Sequence, residues 1–139
     1  MSIELQQLVG DFARSIQRVD ARRPQAINAR SKLPFLPGLG PHAETDAVRL
    51  VVEELQALSP ERYRGRLFLS VRYPEISKQK CDFCIGSKTS WEWAVEVKML
   101  RFLGDNGKLN DNILMHILNW TMRMDGEWNG FLVQNKSFP

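Results

Sequence analysis

Only two cysteines, Cys81 and Cys84, and two histidines, His42 and His116, occur among the 139 residues. That scarcity excludes a disulfide scaffold, and a cytoplasmic setting would keep both thiols reduced. No apolar run approaches the ~20 residues that a membrane-spanning helix requires. The opening segment MSIELQQLVGDF carries acids where a secretory leader has a basic and then an apolar region, so a cytoplasmic location is expected. Low-complexity and collagen-like composition are also missing, since 43% hydrophobic and 25% charged residues are ordinary for a globular chain. For a chain of this length one compact domain with a small appendage is expected, and no separate recognition domain.

Excess charge is small as well. Nineteen Lys and Arg against sixteen Asp and Glu give a net +3. The distribution is uneven. Residues 14–32 contain Arg14, Arg18, Arg22, Arg23, Arg30 and Lys32 against Asp20 alone. Residues 61–80 contain Arg62, Arg64, Arg66, Arg72, Lys78 and Lys80 against Glu61 and Glu75. Between them, Glu44, Asp46, Glu53 and Glu54 accompany a single Arg49. Two basic segments around an acidic one suit a polyanion, whose phosphates supply affinity when neutralised. Solvated charge on helices and loops is the plainer reading of the same pattern.

Apolar spacing organises the rest. Leu5, Leu8, Val9, Phe12, Ile16 and Val19 predict an amphipathic helix over residues 3–19. The segment SKLPFLPGLGP (31–41) is an irregular connector, because its prolines interrupt both helix and ladder. Val48, Val51, Val52, Leu55 and Leu58 form the stripe of a second helix, 42–58, stopped by Ser59-Pro60. Strands are expected at 65–73, 80–85 and 91–99, a third helix at 111–123 and a short strand at 131–134. The result is an α/β fold in the order α-α-β-β-β-α-β. Its mixed central sheet is flanked by helices, with an N-terminal helix and connector at 1–41 and the main core at 42–139.

The informative feature is the hairpin of the second and third strands. Folding 80–85 onto 91–99 sets Asp82 opposite Val95 or Glu96, and Lys98 follows Glu96 on the same strand face. Two facing carboxylates repel unless a cation sits between them. Magnesium, satisfied by one or two carboxylates plus water and phosphate oxygens, meets that need. Glu44 lies in the apolar stripe of the second helix, four residues before Val48, whereas Asp46 and Glu53 fall on the opposite face. An inward carboxylate is costly without a partner. A first-turn acid favouring the helix dipole also explains Glu44, and charges alternating on a strand edge also explain Glu96 and Lys98.

Helix acid, strand aspartate, turn and E-x-K strand together resemble the PD-(D/E)XK nuclease superfamily, which has the restriction-endonuclease-like fold. The resemblance spans about two-thirds of the chain, from His42 to about Gln134. Asp82 stands at the first-strand acid, Glu96 at the (D/E), Lys98 at the lysine and Glu44 at the helix carboxylate. Cys81 replaces the motif proline, and the region after Gly126 is short. The resemblance implies a Mg²⁺-dependent phosphodiesterase, with Mn²⁺ able to substitute, acting on DNA. Asp82, Glu96 and the Val97 carbonyl would ligate one ion, with a second near Glu44. Lys98 would orient or deprotonate the attacking water. Arg62, Arg64, Arg66, Arg72, Lys78, Lys80, Arg101 and Lys108 would meet the nucleic acid. Cutting both strands of a duplex invites a homodimer, for which the 3–19 helix is a candidate contact. The alternative is a non-catalytic nucleic-acid-binding or protein-interaction module on the same fold.

Other motifs carry less. Cys81-x-x-Cys84 lacks the second ligand pair of a zinc site, and alternation along a strand would point the two thiols to opposite faces. Trp91 and Trp93 would share a strand face and pack as core, although aromatics so placed also stack bases. His116 reads as a helix residue, Gly38-Leu39-Gly40 is too short for a phosphate loop, and 104–108 reads as a turn.

Overall fold

The computed structural model describes residues 2–74 and 78–99. The chain divides into two compact units, Met1–Val97 and Lys98–Pro139, and all described elements belong to the first. The expected helix 111–123, the turn 104–107 and the strand 131–134 lie outside the described residues, as do Arg101, Lys108 and His116.

Helix α1 spans Leu5–Ala21, and its buried face holds Leu8, Asp11, Ser15 and Val19. Arg18 in the last turn favours the negative end of the helix dipole. The apolar stripe read from the sequence is wider than the buried face: Leu5, Val9 and Ile16 on its flank are 39%, 51% and 38% exposed. Helix α2, Glu44–Leu58, starts with Glu44 and Asp46 in its first turn and buries Val48, Val51, Val52 and Leu55. Pro60 stops α2 and opens a further single turn, α3 (Pro60–Tyr63), because a first helical position needs no N–H donor.

Strands β1 (Leu67–Leu69), β2 (Phe83–Gly86) and β3 (Trp91–Val95) form an antiparallel meander in the order β1-β2-β3. The fold is thus mixed α/β around a small sheet. Among the described residues every strand pair is antiparallel, and the expected strand at 131–134 lies outside them. β1 is shorter than the sequence predicts, because Ser70 leaves the ladder at φ 52°. Pairing resumes beyond it at an isolated Arg72–Lys80 bridge, with Cys81 N–H donating to the Val71 carbonyl at 3.0 Å.

A bulge separates the rungs Ile85–Trp93 and Gly86–Trp91. It resets the inward–outward alternation of β3. Gly86 sits there at φ 133°, and a Cβ on it would come within 2.5 Å of the Ser90 carbonyl oxygen, so no side chain fits.

Leu67, Phe83 and Ile85 of the sheet pack with Val48, Val52 and Leu55 of α2 and with Leu8 of α1. Phe12 stacks on Phe83 at 5.7 Å between ring centroids. Buried charge is paired throughout this unit. Asp11, 1% exposed, accepts from Tyr63 at 2.8 Å and Arg62 at 3.1 Å and also pairs with Arg14. Glu54, 4% exposed, pairs with Arg18 at 2.7 Å and Arg22 at 2.6 Å. Among the described residues no helix is long and apolar enough to cross a membrane.

Candidate functional site

The β2–β3 register runs Phe83–Val95, Cys84–Ala94 and Ile85–Trp93. One step further, beyond the last paired rung, Asp82 and Glu96 come to opposed positions. The chain there is no longer in regular ladder, and side chains take over the backbone's hydrogen bonds. Asp82 Oδ2 accepts the Val97 N–H at 2.6 Å, while its own carbonyl accepts from Ser70 N–H at 2.9 Å. Glu96 Oε1 accepts the Tyr73 hydroxyl at 2.8 Å. Both carboxylates are thus held by neutral donors, and among the described residues neither forms an ion pair.

Tyr73 is a site residue that the sequence does not announce. It lies on the short arm formed by residues 71–73 and 79–81, tied by its N–H to the Gln79 carbonyl at 3.1 Å. Its ring tilts against Trp91 at 5.6 Å. Trp93 instead packs against the core and donates its indole N–H to the Ile3 carbonyl at 2.9 Å. The two tryptophans therefore part company, because the bulge between them breaks the alternation that would have placed them on one face. Burial, and then the hydrogen bond to Glu96, push the Tyr73 hydroxyl well above the ordinary tyrosine range. It stays protonated, and so remains a donor, at neutral pH.

We expect Tyr73 and Glu96 to couple by about 1 kcal/mol, the usual worth of a hydrogen bond at a partly exposed site. A double-mutant cycle of Tyr73→Phe and Glu96→Ala in urea unfolding measures this, and additive losses would contradict it.

The thiols do not point apart as strict alternation suggests. Cys81 and Cys84 are both buried, their thiols lie near enough to interact, and Cys81 Sγ donates to the Val71 carbonyl at 3.5 Å. Cys81 lies outside β2, on the segment that pairs with Val71 and Arg72 rather than in the regular β2 ladder. Burial, then the neighbouring Cys81, raises the Cys84 thiol to about 11, and burial likewise raises Cys81. Both thiols are therefore held in their protonated form at neutral pH.

Asp82 also lines a small cleft, together with Thr45, Asp46, Val48 and Arg49 of α2 and with Leu69 and Ser70. The acid that α2 brings to this cleft is Asp46, which the sequence placed on the far face, and Arg49 lies 4.0 Å from it. Glu44 is half-buried at the start of α2 and is not part of this lining. Lys98 opens the second compact unit, two residues along the chain from Glu96.

The basic residues sort into two groups. Arg62 is committed to Asp11 and Arg66 to Glu92, and Arg14, Arg18 and Arg22 also serve internal carboxylates. Arg64, Arg72, Lys78 and Lys80 are exposed, and among the described residues none of them forms an ion pair. Sequence composition hid this division, since it counts charge without showing which acids lie within reach.

Among the described residues no cluster of three or more His, Cys, Asp and Glu gathers for a metal. Asp82 and Glu96 stand one step beyond the last paired rung, each accepting from a neutral donor, and among the described residues neither has a cationic partner. That donor set fits a hard dication that keeps several waters, since Mg²⁺ takes one or two carboxylates and leaves its other positions to water and phosphate. It does not fit zinc. No protein-family model, no curated protein and no solved structure matches the chain.

Proposed function

We propose that the chain is a divalent-metal-dependent phosphodiesterase acting on nucleic acid, a DNA endonuclease with a restriction-endonuclease-like core. The observation that carries the proposal is the opposed Asp82–Glu96 pair at the open end of an antiparallel hairpin. Support also comes from the order α2-β1-β2-β3, a helix followed by a strand meander. Exposed cations on the arm beside Asp82 supply the third strand of support.

Asp82 and Glu96, with the Val97 carbonyl, would hold Mg²⁺ or Mn²⁺. The bound ion supplies a water of lowered pKa and stabilises charge on the phosphoryl oxygens. The chain's own part is orientation. Val97 N–H fixes one oxygen of Asp82 and Tyr73 fixes one oxygen of Glu96, so each carboxylate presents its other oxygen in a set direction. Lys98 is assigned by its sequence spacing to the attacking water, which it would orient or deprotonate, and Glu44 as the helix carboxylate near a second ion. A pair of homodimer-related sites would cut both strands of a duplex.

Metal-linked melting tests the assignment. At 10 mM Mg²⁺ or Mn²⁺ and a Kd of ~1 mM, stabilisation is about 1.4 kcal/mol, which raises Tm by roughly 5 °C. Asp82→Asn should abolish the rise. No rise in the wild type, combined with salt-sensitive DNA retention, favours the non-catalytic binding module instead.

A further inference from the structure

Arg72 and Lys80 face each other across the isolated bridge of the arm, as a cross-strand pair of like charge. Directly opposed like charges destabilise a strand pair, and natural ladders rarely keep them without a reason. Here the opposition is enforced by backbone bonds on both sides, Cys81 N–H to Val71 at 3.0 Å and Tyr73 N–H to Gln79 at 3.1 Å. Both side chains are exposed, and among the described residues no carboxylate pairs with either. That contrasts with Arg14, Arg18, Arg22, Arg49, Arg62 and Arg66, each of which has found one. Two opposed cations that no described carboxylate pairs form a receptor for an anion.

The position of this pair gives the anion its identity. Lys80 precedes Asp82 by two residues, and two residues of extended chain span about 7 Å. The arm is also bound to the carboxylate pair directly, because Tyr73, next to Arg72, donates to Glu96. We propose that the Arg72–Lys80 rung binds a backbone phosphate of the nucleic-acid strand, one that flanks the phosphodiester at Asp82 and Glu96. The proposal rests on the phosphodiesterase reading for its catalytic consequence, but not for binding itself. Its consequence is a length requirement: a diester with no neighbouring phosphate bypasses the rung, whereas an oligonucleotide depends on it.

The test uses the full chain in EDTA and a fluorescein-labelled single-stranded DNA 12-mer, followed by anisotropy across a salt series. Arg72→Gln/Lys80→Gln is compared with Lys88→Gln, a surface lysine on the β2–β3 turn. Each phosphate no longer neutralised flattens the dependence of log K on log salt by about 0.7 for a single strand, so the double variant, which frees the one phosphate held by the rung, should be shallower by about 0.7. Its affinity should fall roughly tenfold or more at low salt, while Lys88→Gln changes less than twofold. Removing the repulsion should also leave Tm unchanged or raised, so weaker binding through misfolding is detected. A double variant with the slope and affinity of Lys88→Gln overturns the proposal.

Cleavage then separates the two claims. With Mn²⁺, the double variant should lose oligonucleotide cleavage while hydrolysing bis(p-nitrophenyl) phosphate at the wild-type rate. Wild-type cleavage of the oligonucleotide by the double variant overturns the rung and leaves the phosphodiesterase standing. Rung-dependent binding by a wild type that cleaves neither substrate supports the rung and overturns the phosphodiesterase.

Discussion

Replacing Asp11 with alanine should cost about 3 kcal/mol of folding stability and lower Tm by roughly 10 °C. The carboxylate is 1% exposed and takes hydrogen bonds from the Tyr63 hydroxyl, Arg62 and Arg14. Without it, a fully buried hydroxyl and a guanidinium that is 28% exposed lose their shared acceptor. Breaking a buried ion pair costs 3–5 kcal/mol in general. The low end applies because Arg14, 65% exposed, can turn to water. Asp11→Asn should lose nearly as much, since its amide N–H₂ would face donors. Tyr63→Phe should lose only about 1 kcal/mol, because the arginines remain on the acid.

The same cluster sets a pH dependence. Burial pushes the Asp11 carboxyl up, but the Tyr63 and Arg14 hydrogen bonds and the charges of Arg62 and Arg14 outweigh it and hold it below the ordinary aspartate value of 3.8. A depressed folded-state pKa means that the stabilisation is fully present above 3.8 and is lost as pH falls through the lower, folded-state value. Urea unfolding between pH 6 and 2 should show this acid limb in the wild type and a flatter one in Asp11→Asn. Parallel profiles would contradict the assignment.

The second large effect concerns chemistry. Asp82→Asn and Glu96→Gln should each reduce metal-dependent cleavage about 10³-fold or more, since each removes a charge that the cation requires. Both variants keep an oxygen to accept the bonds that the native side chains accept, from Val97 N–H and from Tyr73. Their stability should therefore stay within about 1 kcal/mol of wild type. Asp82→Ala and Glu96→Ala lose these bonds as well and are the less discriminating tests. Lys98→Ala should lose cleavage while retaining metal-linked stabilisation.

The helices α1 and α2 were legible because their apolar residues recur at 3.6 spacing, and each begins two residues later than that spacing predicts. Hairpin geometry, which needs only the turn and the period of two, narrowed the position opposite Asp82 to Val95 or Glu96, and the Phe83–Val95 rung leaves Glu96 as the next in register. Where regular period fails, so did prediction. Ser70 at φ 52° cuts β1 short, the bulge at Gly86 separates Trp91 from Trp93, and Cys81 lies outside the pleat that was to turn it from Cys84. Tyr73 carried no signal, since its partner is 23 residues away and the arm that presents it is a long-range pairing. Charge counting likewise did not separate Arg62 and Arg66, which hold the fold together, from Arg72 and Lys80, which face solvent.

Divalent-dependent cleavage by the folded chain tests the central claim most directly. Plasmid, single-stranded DNA and RNA are incubated with Mn²⁺ or Mg²⁺, with EDTA and with Asp82→Asn as parallel arms. Cleavage of DNA that requires the ion and disappears in Asp82→Asn is the predicted result. Intact substrates with a folded wild type, or cleavage that Asp82→Asn retains, would contradict it.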